Sequence, residues 1–109
     1  MTAFILILLL QIDVTGEWAV TLDAAMGERR YTMLLRQKGE RLAGDMLSET
    51  GQFEISGSIK GDQVAFEWTF PDRGRLVKLT FAGKVSGDSM SGWATAANLG
   101  DAPMYAQRR

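Results

Sequence analysis

The chain has 109 residues, enough for one domain with a modest hydrophobic core. Its 12 basic and 13 acidic residues leave a net charge of −1, which argues against an electrostatic nucleic-acid binder, because such a protein needs a basic patch. There is no cysteine and no histidine, so disulfides, thiolate nucleophiles, the usual zinc ligands and a Ser-His-Asp triad are excluded together; no metal and no cofactor is predicted.

Residues 1–11 form an apolar N-terminal segment, with an unbroken apolar run from Ala3 to Leu10. The run is too short to span a bilayer, which takes about 20 apolar residues. Three readings are open: the end of an export signal, which would put the domain outside the cytoplasm; a buried first strand or helix; or an interaction surface. Any membrane contact would come through this segment alone. The domain proper is expected over residues 12–109. Strand 1 is predicted from Gly16 to Asp23, with Trp18, Val20 and Leu22 on one face, followed by a polar connection from Ala24 to Arg30. The cluster Glu28-Arg29-Arg30 in that connection, like Arg108-Arg109 at the end, reads as solvated exterior. Strand 2 runs from about Tyr31 to Gln37 with Tyr31, Met33, Leu35 and Gln37 inward, and strand 3 from about Arg41 to Leu47 with Leu42, Gly44 and Met46 inward.

Strand 4 is predicted from Gln52 to Ile59 and strand 5 from Gln63 to Phe70, the latter with the cleanest alternation in the chain. Phe53, Ile55, Gly57 and Ile59 point in on the former, and Val64, Phe66, Trp68 and Phe70 on the latter. A turn at Pro71-Asp72-Arg73-Gly74 leads to strand 6, Leu76 to Gly83, with Val77, Leu79 and Phe81 inward. Strand 7, Ser89 to Thr95, turns Met90, Gly92 and Ala94 inward and Trp93 outward. After a loop from Ala96 to Ala102, strand 8 covers about Pro103 to Arg108.

The register rests on a repeated turn. Gly57-Ser-Ile-Lys-Gly-Asp-Gln-Val64 returns as Gly83-Lys-Val-Ser-Gly-Asp-Ser-Met90, and more loosely as Gln37-Lys-Gly-Glu-Arg-Leu42. Glycine first in a two-residue loop suits a type II′ hairpin turn, and counting outward from each turn lands the apolar residues on one face. The fold class is therefore all-β: a single antiparallel up-and-down barrel of about eight strands, with Gly44, Gly57 and Gly92 as bend points; a two-sheet sandwich is the alternative.

Gly16-Glu17-Trp18, the two Gly-Asp turns and the closing Ala106-Gln107-Arg108 resemble small bacterial lipocalin-like domains of the calycin type, which follow an export signal. The resemblance covers Val14 to Arg108. It implies that Trp18 closes one end of the barrel and that Arg108 packs over its ring. The chain departs from typical lipocalins in being shorter and in lacking a cysteine pair.

The inward set suggests a pocket for a small apolar or amphipathic molecule, with Tyr31, Met33, Gln37, Phe53, Phe66, Trp68, Phe81 and Met90 as candidate ligand-binding residues; the same side chains could equally be an ordinary core. Gln37 is the one clearly polar inward residue, and it is either a ligand contact or a partner of turn backbone. The carboxylates Glu17, Asp45, Glu54 and Glu67 fall outward and form no catalytic pair, so no catalytic residue is assigned. Two other classes stay open beside ligand binding: a cyclase- or isomerase-type barrel enzyme working by substrate preorganisation, with Tyr31 or Gln37 polarising a carbonyl, and a filled-core interaction domain. Outward Trp93 and Tyr105 are candidates for a partner or homodimer surface.

Overall fold

The computed structural model describes residues 12–25, 27–96 and 100–109; the readings of the segment 1–11 lie outside the described residues. Eight strands follow in chain order: β1 (Gly16–Ala24), β2 (Gly27–Lys38), β3 (Arg41–Ser48), β4 (Gly51–Lys60), β5 (Gln63–Asp72), β6 (Arg75–Ser86), β7 (Ser89–Ala96) and β8 (Gly100–Arg108). Every neighbouring pair is antiparallel, and β8 pairs back onto β1, so the sheet is a closed up-and-down barrel rather than a sandwich.

The repeated turns set the register as expected. Lys38/Arg41, Lys60/Gln63 and Ser86/Ser89 flank the three two-residue loops. The first loop residue is at positive φ each time (Gly39 62°, Gly61 60°, Gly87 59°) and the second is not, which is the type II′ pattern. In each loop the second residue's carbonyl then accepts a hydrogen bond from the next strand round the barrel: Ile59 N–H to Glu40 O (2.8 Å), Val85 N–H to Asp62 O (2.8 Å) and Arg108 N–H to Asp88 O (2.7 Å). The three turns thus tie together one end of the barrel.

Two expected connections are corrected. Most of the stretch from Ala24 to Arg30 is strand: β2 begins at Gly27, and Ala24/Gly27 is the last pair of a tight hairpin. Likewise β8 begins at Gly100 rather than Pro103, paired with Ala96. Polar residues near a turn still donate to and accept from a neighbouring strand, so their composition alone hides the ladder. The β5–β6 turn also falls a residue later than the Pro-Asp-Arg-Gly signal suggests. Asp72 and Arg75 pair, and Arg73 (φ 51°) and Gly74 (φ 79°) form the loop.

The buried part of the inner face is apolar. Its buried side chains run from Val14 and Trp18 through Met33, Met46, Ile55, Phe66 and Phe81 to Met90 and Met104, and among the described residues no polar or charged residue is buried. Bend glycines let the strands coil tightly around this filling. A Cβ on Gly92 would run into the Ala82 carbonyl oxygen and lie 2.5 Å from Gly83 Cα, both backbone and unable to give way.

One end of the barrel is sealed. Trp18 is fully buried, and its indole N–H donates to Val14 O at 2.9 Å. The Arg108 guanidinium lies 4.6 Å over the Trp18 ring. Its Nη1 and Nη2 donate to Thr15 O and Asp13 O, each at 2.7 Å, and its Nε pairs with Asp88 at 3.0 Å. Gly16 has φ 144°, and a Cβ there would meet Arg108 Nη1 at 3.2 Å, which is why glycine stands two residues before the tryptophan.

Two stability predictions follow from this packing. Gly92→Ala should lower unfolding stability by about 1–3 kcal/mol through overpacking, whereas Ser91→Ala, exposed on the same strand, should stay within about 0.5 kcal/mol; urea melts of both check this. At the sealed end, Trp18→Ala should cost about 3–5 kcal/mol. Arg108→Met, which keeps stem packing but loses the stack and the charged donors, should cost about 2–3 kcal/mol. A loss below about 1 kcal/mol for Trp18→Ala would remove its role in closing the barrel.

Candidate functional site

The opposite end is open, and the registers show why. The β1–β2 ladder continues to Ala24/Gly27, while β2–β3 pairing stops at Thr32/Leu47 and β1–β8 pairing at Leu22/Met104. The β5–β6 ladder continues to Asp72/Arg75, while β4–β5 pairing stops at Ser56/Glu67 and β6–β7 pairing at Leu79/Ala96. Two hairpin tips therefore stand clear of their neighbours on opposite sides of the mouth. Both β4 and β5 run on beyond their last mutual pair, so they part on the side of Phe53, Trp68 and Phe70.

A cavity of about 480 Å³ lies in this opening. Its apolar wall is Tyr31, Phe53, Trp68 and Phe70, and its rim is Glu28, Arg29 and Arg30 from the β1–β2 tip with Ser48, Glu49 and Thr50 from the β3–β4 turn. Tyr31, Phe53 and Phe70 are half-buried, as inward residues near a barrel end must be. Trp68 is only 3% exposed and forms the floor. Beneath it the aromatic packing is continuous: Phe66 lies 5.9 Å from Trp68 and 4.9 Å from Phe81, centroid to centroid, in tilted arrangements.

The structure thus divides the predicted ligand-binding residues into three groups. Tyr31, Phe53 and Trp68 meet at the cavity. Met33, Phe66, Phe81 and Met90 are buried in the filled barrel. Gln37 lies at the sealed end, where Val14 N–H donates to its Oε1 (2.9 Å) and its Nε2 donates to Gly39 O (3.0 Å). Its amide is occupied with main chain, so the turn-backbone alternative accounts for its inward position. The outward aromatics keep their places: Trp93 is 58% and Tyr105 52% exposed, with Trp93 paired to Pro103.

Arg29 is the site residue that the sequence reading missed. It pairs with Leu22, whose side chain is buried in the barrel, so Arg29 falls on the inner-face register two residues beyond Tyr31. Extending the Tyr31–Met33–Leu35 alternation backward by one step would have found it. Arg30, one residue on, faces outward and pairs with Glu28 at 3.0 Å. Among the described residues no carboxylate lies within ion-pairing distance of Arg29.

Burial pushes the Tyr31 phenol above its ordinary value of 10.0, and the nearby Arg29 charge pulls the other way. At neutral pH Tyr31 is therefore an O–H donor at the edge of the cavity. The chain has two tyrosines, so a Tyr105→Phe background isolates Tyr31. In an ultraviolet titration of that variant the midpoint should lie above 10.0, and adding Arg29→Gln should raise it further by removing the opposing charge. A downward shift on loss of Arg29 would show that the guanidinium does not face the phenol.

The closed eight-strand antiparallel barrel is consistent with a calycin-type fold. Compared with known proteins, the chain matches no protein-family model and no curated protein.

Proposed function

We propose that the domain binds a small amphipathic molecule at the open end of the barrel. The observation that carries this reading is the cavity of about 480 Å³ walled by Tyr31, Phe53, Trp68 and Phe70. Its volume falls within the range of ordinary ligand pockets, roughly 300–1,000 Å³. The filled barrel beneath Trp68 limits how deep a ligand goes, so the molecule lies across the mouth instead of inside the barrel.

The polar and apolar groups are separated as an amphipathic ligand requires. The walls are aromatic, and with no polar side chain buried among the described residues, the polar partners are those at the rim. The cyclase or isomerase alternative would draw on the same cavity, with the Tyr31 hydroxyl as its polarising group. Gln37 sits at the other end of the barrel and could not act with it.

The test is a titration of the full chain with single-tailed amphiphiles and flat aromatic compounds, followed by tryptophan fluorescence in a Trp93→Phe background, which removes the exposed indole. Binding should shift the emission. Phe53→Ala, at the half-buried wall, should weaken it about tenfold while leaving the fold intact, since one well-packed aromatic contact contributes about 0.5–1.5 kcal/mol beyond its area. If no compound binds, the reading fails and the interaction-domain alternative stands in its place, with exposed Trp93 and Tyr105 as its physical basis.

A further inference from the structure

The ligand's polar end has a chemistry that the rim specifies. We infer that the cavity selects a monoanionic amphiphile, with its single negative charge held by Arg29 and its apolar part laid against Phe53, Trp68 and Phe70. This inference rests on the proposed cavity function and adds ligand charge and orientation to it.

Three observations combine. First, Arg29 is on the inner-face register opposite buried Leu22 and lines the cavity, although its neighbours Glu28 and Arg30 face outward by parity. Second, the other cation at this rim is already engaged: Arg30 pairs with Glu28 at 3.0 Å, whereas no carboxylate among the described residues pairs with Arg29. Third, Tyr31 sits beside Arg29 on the same face and also lines the cavity, and no side-chain partner holds its hydroxyl among the described residues. A guanidinium and a phenol two residues apart on one strand face present donors to one acceptor group.

The neighbouring β3–β4 turn sets the number of charges. Glu49 lines the cavity from the β3–β4 turn and makes no ion pair among the described residues. One anionic group fits against Arg29; a second would face the Glu49 carboxylate. A cationic head would meet Arg29 on the inner face, where like charges repel.

The experiment uses three decyl probes below their micelle concentrations: decanoate, decanol and decyltrimethylammonium. Isothermal titration calorimetry on the full chain reads affinity for each. Decanoate should bind about three- to fivefold tighter than decanol, as one exposed charge pair allows, and the advantage should shrink as salt is raised to about 0.15 M and beyond. Arg29→Gln should bring decanoate down to the level of decanol and leave decanol unchanged. Glu49→Gln should tighten decanoate and leave decanol unchanged.

Equal binding of decanoate and decanol to the unaltered chain would overturn the inference while leaving the cavity reading in place. A decanoate preference that survives Arg29→Gln would also overturn it. Binding of none of the three probes would remove this inference and the cavity reading for single-tailed amphiphiles, leaving the flat aromatic compounds to decide the rest. Both substituted residues are exposed, so circular dichroism of the variants separates loss of binding from loss of fold.

Discussion

The stack of Arg108 on Trp18 is the constraint from which the rest of the molecule follows. It joins the last strand to the first, and the same guanidinium holds Asp13 O and Thr15 O. The chain before β1 is thereby folded across the barrel end, where Val14 fills the last space and accepts the Trp18 indole N–H. Each donor of the guanidinium would be costly to leave unmet once covered, so the contacts hold together as a set. The carboxylate of Asp13 adds to the strap. The Thr15 backbone N–H bonds it at 2.9 Å, and its pKa is lowered first by that bond, then by the Thr15 hydroxyl and the Arg108 charge. A depressed carboxylate stabilises the strap above its ordinary value of 3.8 and loses that contribution as pH falls through the folded value.

Sealing one end decides what the other can do. With Trp18 as plug, large side chains stack layer upon layer, from Met33 and Met46 to Phe66 and Phe81, and the barrel fills. A small barrel must spend nearly all of its inner face in this way to be stable. At the open end, space is left where the ladders end unequally, and that is where β4 and β5 separate and the two hairpin tips rise.

The division explains what was legible in the sequence. Strand periodicity and the glycine-first turns are local, so the eight strands, the all-β class and the inward parity of residues such as Phe66 and Trp68 could be read directly. The Trp18 and Arg108 pairing came from the resemblance to lipocalin-like domains, and the pairing of β8 with β1 brings the two together. The mouth was harder, because it depends on where ladders stop, and that is a relation between strands. Gly27-Glu28-Arg29-Arg30 has the composition of a loop, yet its backbone continues the β1–β2 ladder and carries Arg29 onto the inner face. Gln37 shows the converse: its inward parity is real, but the strap and the β2–β3 turn at the sealed end occupy its amide. Parity says which face a side chain shares and leaves open what stands opposite it.

The binding site proposed at the mouth is also one that can vary without endangering the fold. Arg29, Glu49 and Thr50 are exposed and belong to hairpin tips, where changes of charge cost little in stability. Trp68 is different, since it is both the floor of the cavity and the top layer of the core. Its substitution would therefore alter the cavity and the stability together, whereas substitutions at the rim would alter the polarity of the cavity alone. On the proposed reading, the barrel thus separates the residues that hold the fold from those that would set which molecule it takes, and Trp68 is the point where the two sets meet.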